Sequence, residues 1–313
     1  MAELFKFTKA CFTELLPFKK NHKWRVEEGL KYFWLDDSHA HYFPVKNRAE
    51  LEGLLGNMTS KLGRTAITDW GENVDKVLKY NDFVKILNSA SSRDFKISDR
   101  GPVSRISYKG NITEIYPSQE IRTKSHLHIT AEGCLDCIPE GLDPRKTVEL
   151  IHEKGGIALV EHPTTKCHPL WQYVPTTEED DKLTLEVFDM ADAAEAFNSF
   201  NTLWMCRSNA KAKELIEKHG KIAGIAGSDS HYGLADKLTK SLFYKNMGRT
   251  GIYLPTHDNS SLSGREIIQQ KKNDLKNKNY MTLENYTGPI TFCTSMIPPI
   301  IARKLGLDED SIS

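Results

Sequence analysis

The sequence predicts an α/β fold, most simply a barrel, from three observations. Short, near-continuous apolar runs recur along the chain, as strands buried on both faces require. The segments between them carry helix start and stop signals. Each run also ends directly in residues with polar or metal-ligating side chains. Strands alternating with helices imply right-handed crossovers and a parallel sheet, and ligand-type residues at many strand ends imply a closed barrel with its site on the carboxyl face.

The first run, Tyr32-Phe33-Trp34-Leu35, leads into Asp37-Ser38-His39-Ala40-His41. The two-residue period of a strand throws Asp37, His39 and His41 to one side, where an acid and two imidazoles suit a metal. Arg64 to Thr68 then runs into Asp69, and Ile112 to Tyr116 leads through Pro117 to Glu120. Gly156 to Val160 ends in Glu161-His162-Pro163, Ala193 to Phe197 ends at Asn198, and Ile222 to Ala226 ends in Gly227-Ser228-Asp229-Ser230-His231. Of the helices, one opens with Asp143 as cap and Pro144 at its first position and closes at Gly155; another runs from about Ser208 to His219 and stops at Gly220. The polar stretch from Ser89 to Gly110 reads as a long excursion between barrel units, and the basic stretch from Gln270 to Lys278 as a solvated helix face.

Residues 35–278 are assigned to the barrel, with 1–34 as an amino-terminal extension packed on it and 279–313 as a carboxyl-terminal extension. A chain of 313 residues, 39% hydrophobic, buries a sizeable core. Lys plus Arg and Asp plus Glu are both 42, so nothing advertises a polyanion-binding surface. The best membrane-span candidate, Ile290 to Ala302, is short and broken by Pro298 and Pro299. Lys6, Lys9 and Glu14 interrupt any signal-peptide order, so a soluble cytoplasmic protein is the expectation. Six scattered cysteines suit a reducing compartment rather than a disulfide framework. Cys134 and Cys137 have zinc-knuckle spacing, which Cys167-His168 would complete, but no second Cys-x-x-Cys exists and two partly buried thiols are the simpler reading.

Taken in order, Asp37-Ser38-His39-Ala40-His41, Ala66-Ile67-Thr68-Asp69, Gln119-Glu120-Ile121, His128-Ile129, the segment Gly155 to Pro163, Glu195-Ala196-Phe197-Asn198 and Gly227-Ser228-Asp229-Ser230-His231 resemble the polymerase and histidinol phosphatase (PHP) family. The resemblance covers residues 35 to 250. It implies a distorted (β/α)7 TIM-like barrel with two or three divalent ions, Zn, Mn or Fe, at its carboxyl face, and phosphoester hydrolysis as the activity. Carried over by position, His39, His41, Glu120 and Asp229 hold one ion; Glu120 bridges to a second held by His128 and His162; and His231 belongs to a third position. A pair of such ions lowers the pKa of a shared water and clamps phosphoryl oxygens, so that the nucleophile is hydroxide rather than a side chain. Glu120, Asp229 and His231 are the catalytic candidates, His231 as proton donor to the leaving oxygen.

The chain departs from the family pattern twice, with Trp70 where a histidine follows Thr-Asp and Asn47 where a further ligand is usual. Both departures fall on the third position, which favours a two-ion site unless Asp69 or Glu72 fills the gap. Asp37 is a further candidate ligand, and His126, two residues from His128, competes with it for the second ion. His152 and His219 read as solvated. Arg122, Lys124 and Arg207 are candidates to neutralise a substrate phosphate.

The expected substrate is a small phosphorylated metabolite, a nucleotide or the end of a short oligonucleotide; oligomeric state is not legible. Two other readings compete: a catalytically weak or inactive PHP-like module with a structural or regulatory role, and an amidohydrolase-type C–N hydrolase, which would want a carboxylated lysine or an extra histidine on its own strand, and no lysine stands in such a place.

Overall fold

The computed structural model describes residues 33–42, 44–70, 77–90, 94–125, 127–167, 173–199, 206–232, 247–255 and 261–285. The expected α/β barrel is present. Its strands are β1 (Phe33–Asp37), β2 (Ala40–Tyr42), β3 (Arg64–Asp69), β4 (Phe95–Asp99), β5 (Ser104–Tyr108), β6 (Asn111–Arg122), β7 (His128–Glu132), β8 (Ile157–Glu161), β9 (Thr165–Cys167), β10 (Tyr173–Pro175), β11 (Ala193–Asn198), β12 (Ala223–Gly227), β13 (Ser230–Tyr232), β14 (Gly251–Pro255) and β15 (Met281–Leu283). Six helices are seen among the described residues: α1 (Arg48–Lys61), α2 (Tyr80–Ser89), α3 (Pro144–Glu153), α4 (Glu178–Phe188), α5 (Cys206–His219) and α6 (Gly264–Lys276). None is long and apolar enough to cross a membrane.

Among the described residues, thirteen strands form one sheet in the order β12-β11-β8-β7-β6-β3-β1-β14-β15 along its main path, and β9 and β10 pair separately. The ring comes together at its carboxyl end, where β13 lies parallel to β2 with His231 opposite His41. The sheet is not wholly parallel. β7 runs antiparallel to both β6 and β8, because residues 123–127 are too few for the dozen-residue crossover that a parallel neighbour needs. This inversion places the start of β7, not its end, at the carboxyl mouth, and brings His128 opposite Arg122 and Glu161.

The stretch expected as an excursion is instead a hairpin, β4 and β5, which continues antiparallel onto β6. The β5–β6 turn is Lys109-Gly110, both at positive φ (47° and 79°), the conformation that suits a two-residue hairpin. β6 also runs past Pro117, which has no N–H to give; its carbonyl accepts the Gly133 N–H at 2.8 Å.

Outside the ring, α1 and α2 bury Leu54, Leu55, Met58, Phe83 and Leu87 against Leu35, Ile67 and Ile115. α3 and α4 bury Val148, Ile151, Val187 and Phe188 against Ile129, Ala158 and Val160. Asp143 caps α3 by accepting the Arg145 N–H at 3.0 Å, with Pro144 at the first helical position, and Gly155 (φ 75°) follows its end. Asn47 caps α1, its Oδ1 accepting the Glu50 N–H at 3.0 Å.

Inside the ring, Ala66, Tyr116, Ile157, Leu159, Ala193, Ile225 and Leu254 pack with Ile267, Ile268 and Leu275 of α6. α6, opened by a capping box of Ser263 and Glu266, lies across the amino mouth. Arg265 Nη1 donates to the Lys154 carbonyl before β8 (3.1 Å), Lys272 pairs with Asp192 before β11 (3.1 Å), and Lys278 Nζ donates to the Gly220 carbonyl before β12 (3.0 Å). The solvated helix face expected here is therefore wrong at Lys271, which is 2% exposed. Its Nζ enters the barrel and meets Glu132 (2.8 Å), Asp36 (3.0 Å), Ser38 Oγ (2.9 Å) and Tyr116 OH (2.7 Å). Past residue 278, β15 pairs antiparallel with β14, so the sheet continues into the segment assigned to a carboxyl-terminal extension.

Candidate metal centre

β1 ends at Asp37, the chain bends at Ser38-His39, and β2 resumes at Ala40. The bend is held from the β12–β13 connection, where the Asp229 N–H and the Ser228 hydroxyl donate to the His39 carbonyl at 2.7 and 3.1 Å. Asp229 reaches this position in the left-handed region (φ 49°), a strained backbone that acidic and amide residues tolerate better than most. The His41 Nδ1–H donates to the Thr68 carbonyl at 3.2 Å, which leaves Nε2 with the ligating lone pair. That nitrogen lies 3.3 Å from Glu120 Oε2 and 3.7 Å from Asp229 Oδ1. His39 Nε2 sits 3.5 Å from Asp229 Oδ1 and 3.8 Å from Glu120 Oε2.

On the other side of Glu120, its Oε1 is 2.5 Å from His128 Nδ1 and 3.3 Å from His162 Nε2. His162 too is in the left-handed region (φ 28°), and its N–H donates to Glu195 Oε2 at 2.9 Å. One carboxylate thus divides its oxygens between two histidine pairs. His39, His41 and Asp229 have ligand atoms within 4.8 Å of one another, as do Glu120, His128 and His162, and as do His39, Glu161 and Glu195.

The field of the site is strongly negative. Burial disfavours charge on His39, yet Glu161, Asp229 and Glu195 outweigh it and hold its pKa well above the ordinary imidazole value. Burial is likewise overcome at His162, where Glu120 and the other acids raise the pKa to about 9. Burial would raise Glu120, but His128 and His162 pull it well below the usual carboxylate range. Burial and the nearby Glu195 push Glu161 up to about 8. The buried His39 Nε2, His128 Nε2, His162 Nδ1 and Glu161 Oε1 have no hydrogen-bond partner among the described residues. Imidazole nitrogens and carboxylates of this kind suit Zn, Mn or Fe, and divalent ions would relieve the negative field in place of the protons these histidines otherwise take up.

His39, His41, Glu120, His128, His162 and Asp229 are therefore brought together. Asp37 is not part of any of the three groups; its Oδ1 accepts the Ser228 N–H at 3.2 Å, and burial pushes its pKa up to about 7. Asp69 also lies outside the groups. Glu72 and His126 fall outside the described residues, as do the side chains of His231 and Arg207. Lys124, a candidate for the substrate phosphate, is largely exposed and pairs with Asp143 at 2.9 Å. Asn47, where a ligand was missing, is the α1 cap. Arg122 stands opposite His128 across the β6–β7 pair, on the Glu120 face of its strand.

His152 is not simply solvated, because its Nε2 meets Asp192 Oδ2 at 2.9 Å; His219 is nine-tenths covered, with its ring against Phe188 and 3.1 Å from Asp189. Cys134 is buried and Cys137 exposed, neither in a ligand group; Cys167's side chain and His168 are outside the described residues.

Sequence reasoning missed Glu161, Glu195 and the role of Asn198. Glu161 Oε2 and Glu195 Oε1 both lie 3.0 Å from His39 Nδ1, so they fix the nitrogen that faces away from Asp229. Asn198 Nδ2 donates to Asp229 Oδ2 (3.1 Å) and Glu195 Oε2 (3.0 Å), and is itself held by two backbone hydrogen bonds to Asn209 of α5. The signal was the inward alternation Ile157, Leu159, Glu161 and Ala193, Glu195.

No protein-family model matches the chain, and no curated protein matches it in sequence. Among the solved structures to which the chain is similar are two that are each 14% identical, with a TM-score of 0.43 over 76% of this chain. One is the lesion-specific endonuclease Q from Pyrococcus furiosus; the other is endonuclease Q with a 27-mer duplex substrate carrying an abasic lesion at the active site. The chain spans 56% and 57% of their lengths.

Proposed function

We propose that this chain is a metal-dependent hydrolase of phosphoric esters that uses two divalent ions, Zn, Mn or Fe. The observation that carries the reading is the division of Glu120, with Oε1 toward His128 and His162 and Oε2 toward His39 and His41. A carboxylate so placed offsets the repulsion of two neighbouring cations. When bound, such a pair supplies a water of lowered pKa and a clamp on the phosphoryl oxygens.

The remaining work falls to the chain. His39, His41 and Asp229 would hold one ion and His128 and His162 the other, with Glu120 available to both. Asn198 holds Asp229 in place so that Oδ1 is left toward the histidines. Arg122 neutralises the substrate phosphate, and His231, in register with His41 on β13, gives the leaving oxygen its proton. Substrates of the expected size are phosphorylated metabolites, nucleotides and the ends of short oligonucleotides. An amidohydrolase reading would want a lysine at the carboxyl mouth, whereas the buried Lys271 is engaged at the opposite mouth.

The test is a panel of phosphate monoesters, phosphate diesters, nucleotides and short single strands, assayed with protein reconstituted with Zn or Mn beside metal-free protein. Metal-dependent turnover of at least one ester, lost in Glu120→Gln, supports the reading. A protein that binds ions but hydrolyses nothing on the panel would favour the structural or regulatory module.

A further inference from the structure

Trp70 stands where the family pattern has a ligand, yet an indole has a donor and no lone pair to offer a metal. The structure gives it a different engagement. Its Nε1–H donates to Glu120 Oε2 at 3.1 Å, and its ring lies 4.9 Å from that of His41, centroid to centroid. Oε2 is the Glu120 oxygen that faces His39 and His41, while Oε1 faces His128 and His162.

A carboxylate oxygen has two lone pairs, so Oε2 can accept the indole N–H on one and leave the other toward the histidines. Such a bond fixes the rotation of the carboxylate plane, and that rotation decides whether its two oxygens address two ion positions or only one. Outer partners of metal-ligating groups act in this way and typically carry 10–100-fold in affinity (roughly, from known sites). The ring against His41 adds packing that a small donor would not.

The geometry points to Trp70 as a positioning residue for Glu120: its N–H sets the carboxylate so that one group serves both ions. This rests on the two-ion reading above, and goes beyond it by giving the departure from the family pattern a role in affinity. A donor that belongs to the chain holds the oxygen that a bound ion would otherwise have to orient.

The experiment is a cycle of Trp70→Phe, Glu120→Gln and the double variant, each titrated with Zn and with Mn against a chelating dye, with far-UV circular dichroism and thermal melting of the metal-free forms. Trp70→Phe keeps the ring against His41 and removes only the N–H. It is expected to weaken Zn binding by about 10–100-fold in the otherwise unchanged protein. In the Glu120→Gln background it should cost nothing further, because the effect passes through the carboxylate. An equal loss in both backgrounds would show a general structural role and overturn the proposal, as would unchanged affinity in Trp70→Phe. If the unchanged protein binds neither metal, the two-ion reading itself fails, and this proposal with it; if it binds both ions and Trp70→Phe matches it, only the role of Trp70 falls.

Discussion

At the amino mouth of the barrel, Asp36 and Glu132 are fully buried against Lys271, whose Nζ lies 3.0 and 2.8 Å from them. At the carboxyl mouth, Glu120, Glu161 and Glu195 are buried nearly as deeply, but among the described residues no lysine or arginine pairs with them. The first cluster carries its own cation on α6 and is closed over by Ile267, Ile268 and Leu275; the second offers imidazoles, whose nitrogens bind either protons or metal. Burying acids is costly unless a positive charge meets them. The barrel meets that cost with Lys271 at one end, and at the other it sets the acids against imidazoles in groups that could hold metal ions.

The sharpest way to break the comparison is to remove the acid that serves both histidine pairs. Glu120→Gln keeps size and hydrogen bonding but cannot offset two cations, so ester hydrolysis should fall beyond the roughly 10–100-fold that loss of an outer partner costs. Near-unchanged turnover and ion content in that variant would remove the distinction between the two mouths.

At the other end, Lys271→Met takes the internal cation away and should destabilise the fold by about 3–5 kcal/mol at neutral pH, read by denaturant melts. The pH dependence carries the sign. Burial, opposed by Lys271, puts the Glu132 pKa up to about 7 from the ordinary 4.5. The stability tied to its neutral form is therefore complete below about 4.5 and is lost as pH rises through about 7. Without Lys271 the ionised form is penalised further, so the variant should lose more stability at pH 8 than at pH 5. A deficit that is flat across this range would mean that Lys271 contributes packing rather than charge.

Asn47→Ala should have the smallest effect. As the α1 cap it contributes about 1 kcal/mol, and its loss should leave ion affinity unaltered. Weaker metal binding in this variant would instead show that Asn47 supports the carboxyl mouth.

Much of this contrast was legible in the residues themselves. The apolar runs placed β1, β3, β6, β8, β11 and β12, but not β7, which carries His128; the brevity of 123–127 makes β7 antiparallel, and the inversion is what brings His128 into the site at the start of its strand. Lys271 was not legible, because it sits among Lys272, Lys276 and Lys278 in a stretch whose charge suggests solvent. Its burial follows from the fit of α6 over the amino mouth, a long-range fact that local periodicity does not carry. Glu161 and Glu195 were visible as inward strand positions, but ligand patterns draw the eye to the histidine after Glu161 and the asparagine after Phe197. At Asp37 the two-residue period was extended through a bend that ends the strand, so that β1 stops there and β2 resumes at Ala40.

The central claim, that the carboxyl mouth takes its positive charge from two ions shared by Glu120, is tested most directly by counting metal per chain. Protein purified without chelators and analysed for Zn, Mn and Fe should carry two ions, and Glu120→Gln should carry fewer. No bound metal, or three tightly held ions in the unchanged protein, would contradict it.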